Sequence, residues 1–346
     1  MIQPTDLLVV QRDGTTCRAT AAELQELLGR PLCSATAGRL WDLNSTAADN
    51  DWRAVCWAPE LNLFVAVSID GSQRVMTSSD GLRWTPRRTP SDNNSWIGIC
   101  WSPELRLLVA IASSGSSNRV MTSSDGITWT ARRVPLNNSW VAICWSPQRR
   151  LFVAVAFGGN SSRVMTSPDG ISWTARQTPA SHVWRGVCWA AELGLFVAVA
   201  TSSNGANQAV MTSIDGSSWT LRSTPADNTW RSICWAAALG LLVAVGQSGT
   251  GNRVMTSPDG ITWSLRPTPA DLEWRAVCWA PELNLLVAVA GTGSGQQVMT
   301  SPDGSSWTLR SSAADRQWSG ICWAPELGLL VAVAQNGSGS RVMSSC

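Results

Sequence analysis

An all-β fold, a seven-bladed β-propeller of four-stranded antiparallel blades, is predicted by three features of the 346-residue chain. These are a repeat of about 44 residues, four short strand-like runs in each repeat, and a leftover fragment that completes the last copy. Tryptophan carries the repeat. Trp52, Trp96, Trp140, Trp184, Trp230, Trp274 and Trp318 open the units, at spacings of 44, 44, 44, 46, 44 and 44 residues. A second Trp follows five residues later in every unit, and a third closes it at Trp84, Trp129, Trp173, Trp219, Trp263 and Trp307. Trp41 is left over, ahead of the first unit. A fixed period in this range marks an array of supersecondary units.

Residues 96–139 show why each unit should be a sheet. Strand A is the apolar run Trp96–Ser102, closed by Pro103-Glu104-Leu105, and strand B is Leu107–Ala112, followed by a Ser/Gly stretch. Strand C is Arg119–Ser123, ended by Asp125-Gly126, and strand D is Ile127–Arg132, ended at Pro135. Short runs rich in Val, Ile, Trp and Thr between Gly, Pro, Asn and Asp read as strands, and Asp-Gly between two of them is a hairpin signal. Strands A and B are apolar without alternation, so both their faces must be covered. Sheets covered on both faces by copies of themselves make a propeller.

The seventh repeat stops at Cys346 without a D strand, whereas Gly38-Arg39-Leu40-Trp41 matches Gly126-Ile127-Thr128-Trp129. The N-terminal segment should therefore supply strand D of the C-terminal blade, leaving no open sheet edge to template aggregation. Residues 37–346 form the propeller in this reading, and residues 1–36 a separate arm. Asp6–Arg12 and Thr15–Thr20 read as a hairpin, and Thr20-Ala-Ala-Glu23 as a capping box leading into a short helix over 24–28. So short an arm buries little by itself and should dock elsewhere.

Composition narrows the function. A net charge of +2 with 14% charged residues argues against nonspecific nucleic-acid binding. No apolar run approaches the roughly 20 residues of a membrane helix, and the opening residues do not read as a signal peptide. Neither metal nor cofactor is expected. Seven of the ten cysteines recur just before the second Trp, at Cys56, Cys100, Cys144, Cys188, Cys234, Cys278 and Cys322. They read as small core side chains, since a metal ring would want clustered His or carboxylates. Cys33 and Cys346 fall beside the closure, where a disulfide and the reduced pair both remain open.

The turn Ser-Pro-Asp-Gly-x-x-Trp, as in Ser167–Trp173, Ser257–Trp263 and Ser301–Trp307, resembles the Asp-box of sialidases and related propellers, with one residue fewer between Asp and Gly. The resemblance implies a structural carboxylate in the turn between strands C and D, at Asp80, Asp125, Asp169, Asp215, Asp259 and Asp303. Ala37 and Cys346 stand where the seventh box would be. Sialidase chemistry needs a Tyr nucleophile, and the chain has no Tyr. Arg74, Arg119, Arg163, Arg253 and Arg341 are periodic, as are Arg87 and its counterparts. The Glu of Pro-Glu-Leu (Glu60, Glu104, Glu282, Glu326) is likewise a turn residue of the repeat.

Departures from the repeat concentrate in the B–C and D–A connections, which share one face of a propeller. Loops of this kind carry function on a rigid scaffold. The candidate binding residues on this face are Asp70, Asn93, Asn94, Asn118, Asn137, Asn138, Phe157 and Asn160 in the first three units. His182, Asn204, Asn207, Gln247, Asn252, Gln296 and Asn336 continue the set. Their amides suit a glycan or a protein surface, and drift of polar solvent loops is the competing explanation.

The opening Pro-Thr-Asp-Leu-Leu-Val-Val-Gln-Arg-Asp-Gly-Thr-Thr, with Thr-Ala-Ala-Glu-Leu after it, resembles virion proteins of tailed bacteriophages, marine and cyanobacterial ones especially. The Cys-Trp-x-Pro-Glu-Leu-x-Leu-Phe-Val-Ala-Val repeats resemble propeller segments of the same proteins. The resemblance implies a non-enzymatic tail fibre or surface propeller, present in many copies on the virion. Residues 1–36 would then hold other virion proteins while the loop face meets a host-surface glycan or protein. An architectural joint between virion proteins is the alternative, and a glycan hydrolase a more distant one.

Overall fold

In the computed structural model, residues 7–12, 15–20, 36–90, 94–201 and 207–346 are described. Seven four-stranded antiparallel sheets follow one another along the chain, each with strands in the order A-B-C-D. In blade 2 these are Trp96–Ser102, Leu107–Ala112, Val120–Ser123 and Thr130–Arg132. Strand D thus starts three residues later than the sequence suggests. Ile127 and Thr128 give their backbone N–H groups to the Asp125 carboxylate at 2.8 and 2.7 Å, which removes them from the ladder.

Closure is as expected. Asp42–Asn44 pairs antiparallel with Val342–Ser345, placing Leu43 opposite Met343. The interrupted turn is rebuilt across the termini. Ser345 Oγ accepts the Gly38 N–H at 2.8 Å, as Ser78 Oγ accepts that of Gly81, and the Trp41 indole donates to the Gly38 carbonyl at 3.3 Å. Ala37 offers no carboxylate, so the Arg39 and Leu40 N–H groups go to the Thr36 carbonyl instead.

Each blade is covered on both faces by its neighbours. Trp52, Val55 and Trp57 pack with Val331 and Val333 of blade 7, whereas Ala54, Cys56 and Ala58 pack with Trp96 and Ile99 of blade 2. That two-sided burial is why strands A and B lack polar alternation. The first Trp of every blade is wholly buried.

A β-bulge interrupts every strand A just after this Trp; in blade 1 it falls between Trp52 and Ala54, leaving Arg53 unpaired. Such bulges re-aim a side chain. The residue after the bulge is small because adjacent A strands converge on the axis. A Cβ on Gly320 would come within 3.0 Å of the Arg53 carbonyl oxygen and the Ala54 Cα.

Leu7–Arg12 and Thr15–Thr20 pair as the expected hairpin. The helix expected over 24–28 and Cys33 lie outside the described residues.

Candidate binding face and channel mouth

The bulged residues surround a cavity of about 240 Å³ on the propeller axis. It lies at the N-terminal ends of the A strands, so it opens toward the face that carries the D–A and B–C loops. Its rim is Arg53, Ile97, Val141, Arg185, Arg231, Arg275 and Ser319, one residue per blade. Below the rim, Val55, Ile99 and their five β-branched counterparts supply an apolar floor beneath a largely polar mouth. Four of the seven rim residues, Arg53, Arg185, Arg231 and Arg275, share one repeat position, from which Ile97, Val141 and Ser319 depart; none of them was singled out in the sequence. The available signal was variation at the position after the opening Trp, inside an otherwise near-constant strand.

Two of the four guanidiniums are neutralised. Arg53 pairs with Asp51 at 2.7 Å, and Arg275 with Glu273 at 2.9 Å. Arg185 lies over the Phe157 ring, 4.6 Å from its centroid. Among the described residues, neither Arg185 nor Arg231 has an ion-pair partner. Burial, reinforced by Arg185, Arg275 and Arg53, pushes Arg231 down to about 9, and Glu273 only partly opposes this. Asp51 is raised because its burial outweighs the attraction of Arg53.

Several of the sequence-predicted site residues on this face lace the loops together. Two residues before the opening Trp, Asn94 and Asn138 are 1% exposed. Asn94 Nδ2 donates to the Asn118 carbonyl at 2.7 Å, and Asn138 Nδ2 to that of Ser162 at 2.7 Å. Asn50 and Asn228 do the same toward Gln73 and Asn252, so these are repeat positions with a structural task.

Asp70 and Asn336 accept the backbone N–H just before the opening Trp, from Asp51 at 2.6 Å and Gln317 at 2.7 Å. Ser114, Ser248 and Thr292 fill that role elsewhere. Asn137 accepts the Ser117 N–H at 2.8 Å. Arg74 and Arg119 reach the next blade's D–A loop, donating to the Asn94 and Asn138 carbonyls.

Other candidates keep their side chains outward. Asn160, Asn207 and Gln296 are exposed, Gln247 is half-buried, and none makes a side-chain hydrogen bond among the described residues. Phe157 joins the cavity rim through Arg185. His182 packs beside Trp184, ring centroids 5.7 Å apart, and burial lowers its pKa. Asn93 and Asn204 lie outside the described residues.

The opposite face is built for cohesion. In the third blade's C–D turn, Asp169 Oδ1 accepts the N–H groups of Ile171 and Ser172 and the Ser167 hydroxyl, at 2.7–2.9 Å. The same pattern holds at Asp80, Asp125, Asp215, Asp259 and Asp303.

The Pro-Glu-Leu turn bonds between blades. Glu60, Glu104, Glu282 and Glu326 accept the indole N–H of the next blade's second Trp at 2.6–2.7 Å. Gln148 accepts that of Trp189, and Glu192 that of Trp235. Ala238 breaks the series, and the Trp279 indole N–H is buried without a partner among the described residues.

Between the faces, the seven repeat cysteines are free thiols packed against neighbouring blades. Burial pushes Cys100 and Cys234 up to about 12, and the other five well above the ordinary thiol. Among the described residues, no group of three or more His, Cys, Asp or Glu is placed to hold a metal ion. No helix among them is long and apolar enough to cross a membrane.

A closed propeller with a laced loop face and an arginine-rimmed axial cavity defines the class. The chain is similar to a streptogramin B lyase structure, with a TM-score of 0.74 and 10% identity over 88% of this chain and 96% of that one. It is similar to YCF48 bound to a peptide, with a TM-score of 0.64 and 15% identity over 90% and 98%. A GH74 enzyme of Niastella koreensis superposes with a TM-score of 0.68 and 13% identity over 88% of this chain and 53% of that one. At such identities the likeness is one of fold, and propellers of this fold serve both enzymes and binding proteins. No protein-family model matches the chain, and no curated protein matches it.

Proposed function

We propose that this chain is a non-enzymatic virion protein of a tailed phage, a tail fibre or surface propeller. Its loop face would contact the host surface or a neighbouring virion protein, and residues 1–36 would hold it to the particle. The observation that carries the reading is the loop face itself: connections that vary in sequence, cross-braced by buried amides, surround a cavity whose rim is arginine in four blades and Ile97, Val141 and Ser319 in the other three. A rigid scaffold displaying non-repeating side chains is the arrangement of a contact surface. A binding role is favoured over hydrolysis because the chain has no Tyr for a sialidase-type nucleophile. The cavity rim also presents like-charged guanidiniums rather than an acid facing a base. Many copies on one particle would raise weak single-site affinity through effective concentration.

The test is direct. Virions should react with antibody raised against residues 37–346, and the isolated propeller should bind host cells or arrayed glycans. That binding should disappear when the B–C loops are exchanged for copies of a single loop. Absence from purified particles would overturn the virion assignment, and release of product from common glycosides would overturn the non-enzymatic one.

A further inference from the structure

We infer that the axial cavity is an oxyanion site, in which Arg185 and Arg231 take a carboxylate, phosphate or sulfate group carried by a small or terminal sugar-sized ligand. This deepens the reading of the loop face as a contact surface, and it rests on that reading only for the biological source of the anion.

Three observations meet at this place. Arg53, Arg185, Arg231 and Arg275 line one cavity, while among the described residues only Asp51 and Glu273 form ion pairs with any of them. The side chain of Arg231 makes no hydrogen bond or ion pair among the described residues, and Arg185 Nε is buried without a partner. Arg185 is held in place by its stacking on Phe157, which leaves the guanidinium oriented before any ligand arrives.

Like charges gathered in a half-buried cup repel one another, and partial burial over the β-branched floor weakens the screening by water. An anion relieves this repulsion as it binds. Planar guanidiniums match the paired oxygens of carboxylate, phosphate and sulfate bidentately. The geometry also limits ligand size. At about 240 Å³ the cavity is larger than a lone ion needs, yet it falls below the roughly 300 Å³ at which drug-sized ligand sites begin. One arc of the rim is apolar, with Ile97 and Val141 on consecutive blades, and Arg185, Arg231 and Arg275 follow on the next three. The favoured ligand therefore has an acid group on one side and a less polar edge on the other.

Calorimetry and thermal melting of the intact chain at low ionic strength test this, with inorganic phosphate, sulfate, glucuronate and neutral glucose as probes. At least one anion should bind saturably at one site per chain and raise the melting temperature, and glucose should do neither. Arg231→Gln and Arg185→Gln should each weaken the anion by about tenfold or more, while Arg310→Gln, remote from the cavity, leaves it unchanged. Because Arg231→Gln removes a repelled charge, it should melt no lower than the parent without anion, which separates lost binding from lost folding. Glucuronate binding more tightly than phosphate and sulfate assigns the site to acidic sugars, and the reverse order assigns it to phosphate or sulfate esters. No saturable anion, or equal binding by both Gln variants, would overturn the inference. That result would leave the virion assignment standing, just as absence from virions would leave a measured anion site standing.

Discussion

At Asp169 a single carboxylate oxygen gathers two backbone N–H groups and a serine hydroxyl. Partial burial works against the charge, yet the accepted hydrogen bonds outweigh it and hold the carboxyl below the ordinary value of 3.8. The sign follows: a depressed folded-state pKa gives stability that is fully present above 3.8 and is lost as pH falls through the depressed value. Asp169→Asn should therefore cost about 1 kcal/mol at pH 7, and the cost should vanish in the most acidic part of a denaturation series run from pH 7 to pH 2. Such turns were legible in the chain because Asp, Gly and Trp must all be local to one turn. Asn138 was not. Its role depends on the Ser162 carbonyl, 24 residues away, and a polar loop residue looks the same whether it faces a ligand or a neighbouring loop. Asn138→Ala leaves a buried carbonyl and the Asn160 N–H without their partner, and should destabilise by about 1–3 kcal/mol in chemical denaturation.

Between elements, the bond from one blade's A–B turn to the next blade's second Trp recurs around the ring and lapses at Ala238. Ala238→Glu supplies the missing acceptor for Trp279 and should raise stability by about 1 kcal/mol, read as a higher denaturation midpoint. Glu282→Ala, which orphans Trp323, should lower it by a similar amount. Repetition of Pro-Glu-Leu announced a turn, and the neighbour that its carboxylate meets became visible only once the blades were side by side. The bulge after each opening Trp was equally silent. One extra residue in a strand changes no composition or period, yet it turns Arg53, Arg185, Arg231 and Arg275 into the channel.

For the molecule as a whole, closure is the contact on which the ring depends. Trp41 is 8% exposed and belongs to the core between blades 6 and 7, together with Val287, Trp323 and Met343. Trp41→Ala should cost about 3–5 kcal/mol, measured by chemical denaturation. Removing residues 1–44 leaves Val342–Ser345 as an open edge, and light scattering should then report self-association. The period of the tryptophans, the unbroken apolar runs and the stray Trp41 already contained the blade count and the shared blade, because these are properties of order along the chain. The charged cup was not contained there. It needs four side chains from four separate blades, as far as 222 residues apart in sequence, and their meeting is set by the curvature that brings seven sheets around one axis. Periodicity is a one-dimensional quantity and survives in a string of letters, whereas the field at the centre of a ring is a sum over distances that exist only after the ring has closed.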